Sequence, residues 1–119
     1  MTISKSRSKL LNWLLFVGDT VFLYFVSVLP LEELPEAMRD ANDLALHFFN
    51  FVILTLLGAK ALQRVAPSAV FSFFYGGFLE WMQLSVPGRS ATLVDWAADA
   101  VGCLAAWAVF RISRLTHPA

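Results

Sequence analysis

Four acidic residues, Asp19, Glu80, Asp95 and Asp99, fall inside otherwise apolar runs. An ionisable group placed in hydrocarbon costs roughly 2.5 to 3.5 kcal/mol on insertion scales, so each needs a partner or a function. Spacing gathers three of them. Gly76, Glu80 and Gln83 lie at i, i+4 and i+7 and share one helical face, and Asp95, Asp99, Gly102 and Ala106 share another. The small members of these stripes let a neighbouring backbone approach closely, so the two acidic faces are expected to meet. His47 and Arg89 reach the same level, which defines an expected pocket of His47, Glu80, Gln83, Arg89, Asp95 and Asp99. Its chemistry is legible from residue type. A guanidinium fork holds anionic oxygens, carboxylates hold a cation through oxygen, and an imidazole moves protons.

Each member also has a purely structural reading. Asp95 can be an acid in the first turn of a helix capped by Thr92, favoured by the macrodipole. Arg89 is expected to pair with Glu80 or Asp95, and His47 can hydrogen-bond between helices. Asp19 stands apart near the middle of its run, where a bond to a neighbouring helix's Asn50 or Thr55 would shelter it. Trp13, Trp81, Trp96 and Trp107 lie mostly near the ends of apolar runs, as interfacial belts predict. Cys103, the single cysteine, can form neither an intrachain disulfide nor a thiolate metal site.

The elements that position these groups follow from composition. The 119 residues are 58% hydrophobic and 15% charged with zero formal net charge, and the mean hydropathy is +0.64. Soluble domains carry about a quarter charged residues, so lipid is the expected solvent. The absence of a basic excess disfavours nucleic acid as a partner. Apolar runs at 10–29, 44–62, 68–84 and 93–112 predict an all-α, polytopic, four-transmembrane-helix bundle forming one domain over 1–119, because about 20 residues at 1.5 Å cross a hydrocarbon core. Pro30 and Pro35 bracket an acidic loop, Pro67 marks the second stop, and Pro87-Gly88 the third turn. Lys5, Arg7, Lys9, Lys60, Arg64, Arg111 and Arg114 flank one side and only Arg39 and Arg89 the other, which predicts both termini in the cytoplasm. The first run is too long for a secretory signal and lacks an A-x-A-like cleavage site.

From its second run onward the chain resembles the VanZ-like family of small bacterial membrane proteins. The residues that carry the likeness are Asp43-x-x-x-His47-Phe48, Gly77-x-x-Glu80-x-x-Gln83-x-x-x-Pro87-Gly88-Arg89 and Asp95-x-x-x-Asp99-x-x-Gly102, with Ser27-x-x-Pro30 upstream. Leu44, Phe51 and Asp99 depart from the family's usual Lys, Tyr and Asn. The resemblance implies a multi-pass protein of the bacterial cytoplasmic (inner) membrane. It also implies a link to glycopeptide antibiotic tolerance, since the founding member is associated with low-level teicoplanin resistance. It implies no reaction.

Three functional readings stand beside one another. The leading one is a cell-envelope protein whose outward-facing pocket recognises the head group of a membrane lipid or lipid-linked envelope precursor, with no cofactor. The second is a metal-assisted membrane enzyme, with His47 as acid or base and carboxylates on a divalent cation; no nucleophile motif accompanies Ser85 or Ser90. The third is a small proton-coupled transporter built on Asp19. A homodimer or a larger membrane complex would shelter Asp19 more easily than a lone bundle.

Overall fold

The computed structural model describes residues 5–37, 43–89 and 91–116. Its elements are helix α1 (Lys5–Val28), a 3-10 turn (Leu31–Glu33), and helices α2 (Asp43–Leu62), α3 (Val65–Gln83) and α4 (Leu93–Thr116). No strand occurs among the described residues. Arg39, one of the two basic residues on the sparse side of the charge bias, and Ser90 lie outside them.

Helices α1 and α4 extend past their apolar runs, because the polar residues at their ends continue the backbone hydrogen-bond ladder. Helix α2 stops where Gln63 enters the left-handed region at φ 62°, and Gln63 returns its side-chain amide to the Lys60 carbonyl at 2.8 Å. Helix α3 then begins at Val65, three residues ahead of the expected start at 68. Pro67 sits within its first turn, where the missing N–H has no intrahelical partner to lose.

The distribution of side chains is inverted relative to a water-soluble protein. Thr55, Ser68, Ser72, Glu80, Gln83, Asp95 and Asp99 are buried, while Leu14, Phe22, Phe25, Phe49, Phe74, Leu104 and many other large apolar residues are exposed. That pattern suits a lipid surround, in which apolar side chains gain nothing by turning inward and polar ones lose by turning outward. Three helical stretches, Ser6–Val28, Leu44–Leu62 and Leu93–Leu115, are long and apolar enough to cross a membrane. Helix α3 is diluted by Ser68, Ser72, Glu80 and Gln83, and all four are buried on one stripe with Gly76, leaving Phe71, Phe74, Phe78 and Trp81 outward.

Helix α2 is central, packed chiefly on α4 and α3, with α1 against α2 and α3 at the edge. The bundle is a rod of 49 × 25 × 23 Å. Phe16, Leu23, Phe51, Leu54, Leu79 and Cys103 form its apolar core. Hydrogen bonds between helices reinforce it away from the polar cluster. Ser68 donates its hydroxyl to the Thr55 carbonyl at 2.7 Å, Tyr75 to the Thr20 carbonyl at 2.5 Å, and the Trp96 indole to the Phe73 carbonyl at 2.9 Å. The α2 and α4 backbones approach closely at Gly102, where a Cβ would lie 2.5 Å from the Phe48 carbonyl oxygen. Only a hydrogen fits there, so this glycine sets the α2–α4 distance next to His47.

Candidate functional site

The start of α2, the end of α3 and the start of α4 meet at one end of the rod, and each contributes a polar side chain to the same spot. His47 lies in the second turn of α2, Glu80 and Gln83 in the last turn of α3, and Asp95 and Asp99 in the first two turns of α4. His47 Nδ1 is 2.7 Å from Asp99 Oδ1, and Asp99 is 1% exposed. With Asp99 ionised, this contact holds a proton on Nδ1 and leaves Nε2 on the side of Glu80. Nε2 points toward Glu80 Oε1 at 3.7 Å, too long for a hydrogen bond.

Glu80 is asymmetric. Its Oε2 accepts the Thr92 main-chain N–H at 3.1 Å, while its Oε1 is buried with no hydrogen-bond partner. Thr92 also acts through its side chain. Its Oγ1 accepts the Asp95 N–H at 3.0 Å, which caps α4 and fixes the first turn that carries Asp95. One ligand atom from each of His47, Glu80 and Asp95 lies within 4.8 Å of the others, a set able to hold a metal ion. Gly76 makes room for this arrangement, since a Cβ there would stand 2.7 Å from Asp99 Oδ2.

Arg89 is positioned by a tight turn. The Arg89 N–H returns to the Val86 carbonyl at 3.2 Å across Pro87-Gly88, and Gly88 adopts φ 76°, the type II pattern that needs glycine third. Its Nη1 donates to the carbonyls of Val26 at 2.8 Å and Leu29 at 2.9 Å, at the C-terminal end of α1. Residue types point to Glu80 or Asp95 as its partners; these two bonds instead satisfy orphan helix-end carbonyls and complement the negative end of the helix dipole. Gln83, 3% exposed, ends α3 ahead of this turn, and its carbonyl accepts the Val86 N–H at 3.1 Å.

Asp19 is not part of the cluster. It sits beside Thr20, whose carbonyl accepts Tyr75, and its Oδ2 is buried with no hydrogen-bond partner. The expected bond to Thr55 does not form; the buried Thr55 hydroxyl instead lies against the Cys103 thiol of α4.

On the outer flank of the cluster an apolar groove of about 480 Å³ runs between α3 and α4, walled by Phe78, Trp81, Leu84, Leu93 and Trp96, with Glu80 as its acid. Trp81 and Leu93 are 66% and 79% exposed, so the groove faces the surround. The sequence reads Trp96 as a belt residue. It is stacked on Phe73 at 4.9 Å and packed over Gly77, where it fixes the register of the groove's two walls. The contribution of the Thr92 N–H is not legible in the sequence either, since a backbone donor leaves no mark in residue types.

The family model described as VanZ/LLP1 matches residues 4–114, nearly the whole chain. No curated protein and no solved structure matches it.

Proposed function

This chain belongs to the VanZ/LLP1 family, and from that premise we propose that it is an envelope protein of the bacterial inner membrane that recognises the polar head group of a lipid or lipid-linked precursor at its outer face. All four helices cross the bilayer, α3 included, because its buried polar stripe lowers its hydropathy without presenting polar groups to lipid. Both termini are cytoplasmic, as the charge bias favours, and the His47–Glu80–Asp95–Asp99 cluster lies in the outer half of the membrane.

The observation that carries this reading is the shared position of Glu80, which belongs both to the buried polar cluster and to the apolar groove opening beside it. A lipid needs both surfaces: an apolar channel for its glycerol and upper acyl region, and convergent polar groups for its head. The excess of carboxylates selects a head group bearing an amine, hydroxyls or a bridging cation over a bare phosphate. Arg89 serves the site by anchoring the loop above it to α1. Binding of an envelope precursor would also account for a role in glycopeptide tolerance.

Native mass spectrometry of the protein extracted with its own lipids tests the reading. Wild type retains a discrete lipid that a Glu80→Gln, Asp99→Asn double variant loses. Equal retention of bulk lipid by both would make the cluster a helix–helix joint and nothing more.

A further inference from the structure

We propose that His47, Glu80 and Asp95 bind one divalent transition-metal cation through Nε2, Oε1 and a carboxylate oxygen, with Asp99 as the positioning residue for His47. The inference rests on reading the cluster as a ligand site and names what occupies it first.

Three observations converge. The Asp99 contact at 2.7 Å engages Nδ1 and leaves Nε2 on the side of Glu80, whose Oε1 lies 3.7 Å away. A carboxylate on the far nitrogen of a ligating histidine is the usual outer-shell arrangement at protein metal sites, where it fixes tautomer and ring orientation. Independently, Glu80 is 8% exposed, and its Oε1 is buried with no hydrogen-bond partner on the side of His47 Nε2. Burying an acceptor unsatisfied is costly, and a cation shared with His47 and Asp95 would satisfy it.

Distances and ligand types then select the kind of cation. Zinc-type bonds of about 2.0 to 2.2 Å to nitrogen and oxygen place neighbouring tetrahedral ligands roughly 3.4 Å apart. The Nε2–Oε1 separation of 3.7 Å is close to that, and Asp95 offers a carboxylate oxygen in a set that lies within 4.8 Å. A shared proton needs less than about 3.2 Å, so the gap fits a metal better than a hydrogen bond. One imidazole with two carboxylates suits zinc or manganese; calcium asks for six to eight oxygens. With three protein ligands the remaining coordination position is open to a head-group oxygen.

The test uses the full chain in detergent, stripped with chelator and titrated with zinc chloride or manganese chloride alone, read by calorimetry and elemental analysis. Wild type takes up one equivalent and is stabilised against heat by it. Glu80→Gln, which keeps an oxygen for the Thr92 N–H, and His47→Ala each weaken binding at least tenfold. Asp99→Asn weakens it about 10- to 100-fold, as loss of an outer-shell partner does, and His117→Ala, which removes the only other imidazole in the sequence, changes nothing. Failure of wild type to bind or be stabilised by either metal, or equal binding by wild type and the His47→Ala, Glu80→Gln pair, overturns the proposal. Lipid retention is scored separately: a lipid lost on Glu80→Gln from a protein that binds no metal overturns the metal site alone and leaves the head-group reading intact.

Discussion

Replacing Gly102 with alanine should pull apart the α2–α4 seam on which the site depends. The added Cβ would lie 2.5 Å from the Phe48 carbonyl oxygen, 0.9 Å inside the 3.4 Å at which ordinary contact begins. Backbone cannot rotate away as a side-chain tip can, so the helices must separate by most of that distance. His47 adjoins Phe48 and Asp99 lies one turn from Gly102, so the 2.7 Å His47–Asp99 contact would stretch to about 3.6 Å, past hydrogen-bonding range. Losing a charged hydrogen bond costs about 1.5 to 3 kcal/mol and overpacking about 1 to 3, while the higher helix propensity of alanine returns roughly 0.5 to 1. The expected net loss is about 3 kcal/mol, roughly a hundredfold in the folding equilibrium. Unfolding in mixed detergent–SDS micelles measures it, with Gly18→Ala as the internal control: nothing lies within 4 Å of a Cβ at Gly18, so that variant should be neutral or slightly stabilised. Gly102→Ala matching Gly18→Ala in stability would refute the close approach.

Other perturbations probe separate parts of the bundle. Arg89→Ala should free the Val26 and Leu29 carbonyls, cost about 2 kcal/mol and speed amide exchange over 26–31, with Arg89→Lys intermediate. Thr92→Ala should remove the α4 cap at a cost of about 1 kcal/mol while Thr92→Ser stays near wild type by the same unfolding assay. Trp96→Ala should lose about 3 to 5 kcal/mol and Trp96→Phe, which keeps the stack on Phe73, about 1. Asp19→Leu should raise stability by roughly 2 kcal/mol, since it removes a buried carboxylate oxygen that has no hydrogen-bond partner; a large loss instead would point to a partner chain bonded to Asp19.

Charge inside apolar runs exposed the site in the sequence, because lipid makes such residues too costly to keep idle. Helical periodicity then aligned Glu80 with Gln83 and Asp95 with Asp99, and small residues at 76 and 102 marked where faces meet. What periodicity cannot encode is azimuth between helices, so the close contact of His47 with Asp99, 52 residues along the chain, emerged only in three dimensions. Arg89 shows a related limit: residue types suggest a carboxylate partner, whereas the main-chain carbonyls it meets at the end of α1 are invisible to them. The start of α3 was also hidden, since proline reads as a stop although a first turn accepts it. For Asp19, the sequence offered hydroxyl and amide partners on α2, but α1 rides at the edge of the bundle beside Tyr75 and Thr55 turns elsewhere.

A lipid head group held by the buried cluster and its groove should itself stabilise the fold. A ligand that binds only the native state raises stability by about 2.7 kcal/mol at a hundredfold excess over its dissociation constant. Thermal unfolding of wild type and Glu80→Gln, each in micelles with total envelope-lipid extract or with synthetic phosphatidylcholine, measures that directly. The extract should raise the wild-type midpoint well above that in phosphatidylcholine, and Glu80→Gln should lose the difference. The same shift in both proteins would contradict head-group binding at this site.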